Sequence, residues 1–92
     1  MLTSDLMLSG LKANLGIVAY AYDERLLAYL DSAKQMIGRE GITLTDSVED
    51  TTLVIQYAAW MWQERDNGTG MPRMIRYALN NRLFSEKMKN AT

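Results

Sequence analysis

Between Thr51 and Pro72 the chain reads TTLVIQYAAWMWQERDNGTGMP, and the apolar part of this stretch limits the possible folds more than anything else in the sequence. Placed on a helix at about 100° per residue, Val48, Ile55, Ala58, Ala59 and Trp62 fall on one side, while Leu53, Val54, Tyr57, Trp60 and Met61 cover much of the other. Only a thin stripe, Glu49, Thr52, Gln56 and Gln63, is consistently polar. A helix that is apolar nearly all round must be buried nearly all round. In a chain of 92 residues few neighbours can do that. Such a helix is either the central rod of a small bundle or shows a second face to another chain.

The same length bounds the core, since a domain this small buries roughly 60 to 65% of the surface its unfolded chain exposes. Stability gained by self-assembly is therefore in keeping with the size. The chain has no cysteine and no histidine, which removes disulfides, thiolate chemistry, the commonest general base and the commonest metal ligand together. The adjacent carboxylates Asp23-Glu24 and Glu49-Asp50 point about 100° apart on a helix and do not converge on one substrate atom; favourable charge at a helix start explains both. Asp46 and Asp50 lack a third ligand in register for a cation, and no glycine pattern forms a phosphate loop. The expectation is a protein with no catalytic residue, cofactor or metal, and not an enzyme. The most apolar window, Leu53 to Trp62, is interrupted by Gln56 and is about half the ~20 residues needed to cross a bilayer. The first residues carry Asp5 and Lys12 and lack the pattern of a signal peptide, so a soluble, unprocessed chain without membrane contact is expected.

In chain order the signals predict one all-α domain over residues 1–92, a small four-helix bundle with a long, nearly all-round apolar third helix, its helices at about 4–15, 24–40, 47–66 and 72–89 and a tail, 85–92, free to be flexible. Thr3 or Ser4 can cap the first helix, whose Met7, Leu11 and Leu15 repeat every four residues; Gly10 and Gly16 weaken it. IVAYAY reads as a connector that packs Ile17, Val18 and Tyr20 onto the bundle and ends at Asp23, a good N-cap. The second helix is cleanly amphipathic, with Leu26, Tyr29, Leu30, Ala33, Met36 and Ile37 on one face, and Gly41 ends it. Asp46 and Glu49 have the spacing of a capping box for the third. Asp66-Asn67-Gly68-Thr69-Gly70 is a loop, and Pro72 opens the fourth, whose Met74, Ile75, Ala78, Leu79 and Leu83 form a core face.

Charge is distributed unevenly. Residues 1–64 hold nine acidic and four basic side chains, residues 65–92 six basic and two acidic. This polarity suits head-to-tail contact between copies, or contact of the basic end with an acidic partner. Arg82 falls within the apolar sector of the fourth helix and Phe84 among its charges, which points both toward contacts outside their own subunit. Trp60 and Trp62 project about 160° apart, so one of them is expected at an interface, where tryptophan and arginine are favoured. Arg73, Arg76 and Asn80, at spacings of three and four, also allow a second reading, a small regulatory module that binds DNA through its fourth helix.

The order of these features resembles the small helical head–tail connector proteins of long-tailed bacteriophages and prophages, also called adaptor or head-completion proteins. The likeness runs from about Leu8 to Phe84. It is carried by LKANLGI, by Asp23-Glu24 ahead of LLAYLDSAKQMIG, by the Trp62-Gln63-Glu64-Arg65 ending, and by the proline-opened last helix that closes near Arg82. The resemblance implies a structural virion protein, made in the bacterial host cytoplasm and placed at the head–tail junction. It would form a ring of about a dozen copies that extends the portal DNA channel and docks the next connector or tail component. Trp60, Trp62, Arg65 and Arg82 are then the expected subunit contacts, with Phe84, Lys87 and Lys89 on the portal side. Asp31, Glu40 or Asp46 can face the lumen, where like charge lets DNA pass without sequence-specific binding.

Overall fold

The protein is described by a computed structural model covering residues 4–65, 68 and 70–90, without the side chains of Ser4 and Asn90. Capping by Thr3 or Ser4, the expected end of the third helix at Asp66, the loop residues Asn67 and Thr69, and the last two residues of the tail lie outside the described residues. The chain is all-α. Four helices follow in order, α1 (Ser4–Leu15), α2 (Asp23–Arg39), α3 (Val48–Glu64) and α4 (Arg73–Asn90), with one turn of 3-10 helix, Tyr20–Tyr22, leading into α2. No strand occurs among the described residues.

Local chemistry sets each boundary. Helix α1 stops because Gly16 takes φ 72°, and the chain closes with the Ile17 N–H on the Lys12 carbonyl (2.9 Å) and the Gly16 N–H on that of Ala13 (3.4 Å). This pair of bonds is a Schellman motif, which satisfies two carbonyls the helix leaves open. Helix α2 also ends at a left-handed glycine, Gly41 with φ 101°, whose N–H bonds the Gly38 carbonyl at 3.0 Å. Any Cβ there would also lie 3.3 Å from Leu83 Cδ1, so Gly41→Ala is expected to lower stability by about 1–2 kcal/mol in a urea titration.

Two expected caps are shifted. Helix α2 has Tyr22 as its N-cap residue with no side-chain bond, while Asp23 accepts instead from Lys12 Nζ at 2.8 Å. Helix α3 is capped by Ser47 rather than Asp46: the Ser47 hydroxyl accepts from the Asp50 N–H (3.1 Å), and the Asp50 side chain reaches back to the Thr45 N–H (2.7 Å). Half of a capping box is present one residue further on: the returning Asp50 carboxylate binds the N–H of Thr45 and not that of the cap, whose own N–H goes to the Thr45 hydroxyl at 3.3 Å.

Helix α3 packs against each of the other three. Its 17 residues equal α2 and fall one short of α4, so it is central without being long. Nor is its buried sector wholly apolar. Leu53, Val54, Tyr57, Ala58, Ala59 and Trp62 are buried, but so are Asp50 and Thr51, while Val48 is 80% exposed. The thin stripe Glu49, Thr52, Gln56 and Gln63 does face solvent. Met7 and Leu11 of α1, Leu26, Leu30, Ala33 and Ile37 of α2, Ile42 of the segment between α2 and α3, and Ile75 and Leu79 of α4 complete the core. Gly10 lets α1 approach closely, since a Cβ there would lie 2.8 Å from Ile55 Cδ1.

The connector and α4 depart from expectation. Ile17 packs on the core, but Val18 is 90% and Tyr20 85% exposed, Tyr20 lying beneath the Lys12 ammonium at 4.9 Å. On α4 Met74 leaves the core face, 81% exposed, and Arg82 and Glu86 enter it. The cause is spatial. The molecule is a slab, 46 × 31 × 17 Å across its Cα atoms, and 17 Å is about the depth of two helix layers. A helix on its border has a single neighbour to bury against.

Candidate assembly surfaces

The strongest polar feature lies inside the subunit. Arg82 Nε donates to Asp50 Oδ1 (2.7 Å) and its Nη2 to Asp50 Oδ2 (3.2 Å) and to the Thr43 carbonyl (2.7 Å), while Nη1 donates to Glu86 Oε2 (2.8 Å). Asp50 Oδ2 also accepts from the Thr45 N–H and hydroxyl, at 2.7 and 2.9 Å. Asp50 is 1% and Arg82 8% exposed. The planar fork of an arginine suits this two-point grip, and the hydrogen bonds offset the cost of taking the charges out of water. The expected role of Arg82 in subunit contact is thereby corrected, because its guanidinium is engaged within its own chain. A salt bridge 32 residues away in sequence leaves no local signal.

Burial pushes the Asp50 carboxyl up, but the hydrogen bonds from Arg82 and Thr45 and the nearby guanidinium charge more than reverse this and hold it below its ordinary value. Glu86 is likewise lowered, chiefly by its bond from Arg82. Arg82 is raised by its two carboxylates. In the unfolded chain the two acids titrate near pH 4, so below that the unfolded state binds more protons than the folded one. Their contribution is complete above that window and is lost as pH falls through it toward the folded values. The arginine contributes at any pH below that of a free guanidinium. Urea midpoints are therefore expected to drop steeply with acid below about pH 4.5, and Asp50→Asn to flatten that slope.

The tryptophans divide. Trp62, 8% exposed, is enclosed by Tyr22 (ring centroids 5.5 Å, 78°) and Tyr29 (5.6 Å, 84°). The Arg65 guanidinium lies over its ring at 4.1 Å and donates to the Trp62 carbonyl. Both residues thus close the end of α3 within the subunit, which corrects Trp62 as an outward contact; cation–π stacking accounts for the arginine. Trp60 is half-buried, edge-on to Tyr57 at 5.5 Å, and its indole N–H is buried with no hydrogen-bond partner among the described residues. It lines a groove between α2 and α3 with Met36, Arg39, Tyr57 and Met61, and a second beside α4 with Gln56, Met74 and Ala78. Of the two tryptophans, Trp60 is the one left at a surface.

Helix α4 carries a second apolar stripe opposite its core face. Met74 (81% exposed), Tyr77 (57%), Phe84 (64%) and Met88 (56%) recur at spacings of three, seven and four, with exposed Asn81 between Tyr77 and Phe84. On a helix these five positions fall within about 80° of arc and run about 21 Å along the axis. Exposed Arg73, Asn80 and Lys87 follow one edge every seventh residue; Ala78 and Ser85 follow the other. Arg76, expected beside Arg73 on a DNA-reading face, is held by both oxygens of Glu40 at 3.0 and 3.2 Å. Lys87 and Lys89 are exposed in the last turn.

Among the described residues no group of three or more His, Cys, Asp or Glu side chains is placed to hold a metal ion, and no helix is long and apolar enough to cross a membrane. Comparison with protein families, with curated proteins and with solved structures found no match.

Proposed function

We propose that this chain is a structural assembly protein, a head–tail connector subunit that builds a ring around the portal DNA channel and docks end-on to its neighbours in the virion. The observation that carries this reading is a subunit that buries a continuous core and still presents two apolar surfaces, the α2/α3 groove lined by Met36, Trp60 and Met61 and the α4 stripe, which adjoin where Trp60 and Met74 line the groove beside α4. A ring subunit that also docks end-on needs one surface for its neighbours in the ring and another for its partner, and a heterologous contact between copies repeats until it closes. The acidic first two-thirds and basic last third of the sequence supply polarity in the same sense. In this reading the Trp60 groove serves lateral contact, and Phe84, Lys87 and Lys89 on α4 serve the portal side. Arg65 and Trp62 brace the end of α3 behind the groove.

Light scattering over a wide concentration range, with negative-stain images of the largest species, tests the proposal. Rings are expected, alone or on addition of portal protein. Trp60→Ala should lower their mass while leaving helicity unchanged. A chain that stays monomeric under both conditions, or a compact dimer that shifts duplex DNA with a steep salt dependence, would sink it.

A further inference from the structure

We infer that the α4 stripe is a docking site for one amphipathic helix of another protein, a helix with its own three-and-four-spaced apolar row and acidic side chains along one border. The inference rests on the assembly reading for the existence of a partner, and on the surface chemistry of α4 for its kind.

Met74, Tyr77, Asn81, Phe84 and Met88 occupy the a and d positions of a seven-residue repeat, the pattern by which two helices interlock along a seam. All five face solvent. The positions bordering the seam are unequal. Arg73, Asn80 and Lys87 make one border basic or neutral, and Ala78 and Ser85 make the other small enough for close approach. A single asparagine within such a seam fixes register, since the facing residue must offer a polar group to it.

Charge decides against pairing with the α4 of a second copy. The sole acidic residue of α4, Glu86, is buried and bound by Arg82, so no carboxylate on this helix meets Arg73 or Lys87 of a twin. Antiparallel pairing of two α4 helices about Asn81 would set Arg73 beside Lys87, which is repulsive, and parallel pairing sets Arg73 against Ala78 and Asn80 against Ser85, which gives no attraction. Nor, among the described residues, does another helix present a matching row, because Leu6, Val18, Tyr20, Tyr22, Met36 and Val48 are scattered. An acidic border on the partner turns both basic residues from unpaired to paired and sets which way the helix lies.

The test uses the full chain and two labelled helical peptides of about 21 residues, three heptads in length. Both carry leucine at a and d with asparagine at one central a position; one has glutamates at the positions facing Arg73 and Lys87, the other lysines. Fluorescence anisotropy is expected to show binding of the glutamate peptide, at least about tenfold weaker binding of the lysine peptide at low salt, and a narrowing of that difference as salt is added. Phe84→Asp, at a position 64% exposed, should abolish binding with an unchanged circular dichroism spectrum. Equal binding of both peptides, binding of neither, or Phe84→Asp retaining the glutamate peptide would overturn the inference. So would self-association of the wild-type chain that Phe84→Asp abolishes, since a second copy would then be the occupant. Ring formation is read apart from this, by the mass of the unlabelled wild-type chain, so a monomer that binds the glutamate peptide would count against the ring and not against the docking site.

Discussion

Arg82→Met is expected to remove about 3–5 kcal/mol of folding stability, the usual consequence of leaving a buried charge without its partner. A domain of this size holds about 5–14 kcal/mol in all, so the variant should be close to partial unfolding at room temperature. The loss has three sources in the structure. Asp50 would keep its charge at 1% exposure with only Thr45 to solvate it, the Thr43 carbonyl would lose its donor, and the α4 turn bearing Glu86 would lose its anchor on α3. Arg82→Lys should fall between, since one ammonium cannot make the two-point grip. Urea titration followed by circular dichroism reads the change directly. A loss below about 1 kcal/mol would mean that the guanidinium is satisfied equally well by water, and that α4 is held by Ile75 and Leu79 alone.

The second large effect belongs to Trp62→Ala, at about 3–5 kcal/mol. The indole fills the space between Tyr22, ahead of α2, and Tyr29 on α2, and its two edge-on ring contacts add to the area it buries. Its removal leaves a cavity that neither tyrosine can fill without leaving its own packing. Trp60→Ala should cost distinctly less, because that side chain is half-buried and its N–H has no bond to lose. Denaturant midpoints of the two variants, at a concentration where the chain is monomeric, separate them. Equal losses would place the two tryptophans in equivalent surroundings.

Helix positions were legible because their signals are local. Gly41, Pro72 and the period of Leu26, Leu30, Ala33 and Ile37 each act within a few residues of the boundary or face they define, and the observed ends lie within two residues of the expected ones wherever they are described. Partner choice was not legible. Arg82 lies in an apolar sector either because something outside the subunit meets it or because a buried carboxylate does. Nothing near it in sequence separates the two, since Asp50 sits on a helix start where an acid is unremarkable. Val18 and Tyr20 show the limit in the other direction: apolar character allows burial without requiring it. Of the surface residues, Phe84 stood out by type, but the row it belongs to emerged only once Met74 proved to be outside the core.

The guanidinium fork has a further consequence for α4. Contacts between Ile75, Leu79 and the apolar side of α3 are non-directional, and a border helix held by such contacts alone can roll about its axis at small cost. Two hydrogen bonds from one planar group to one carboxylate, with a third to the Thr43 carbonyl, admit a single rotational setting. Arg82 therefore acts as a key in a keyway. It sets the azimuth at which Met74, Tyr77, Phe84 and Met88 point outward, and in a closed assembly of identical copies every such row would be presented at the same angle to whatever lies beyond.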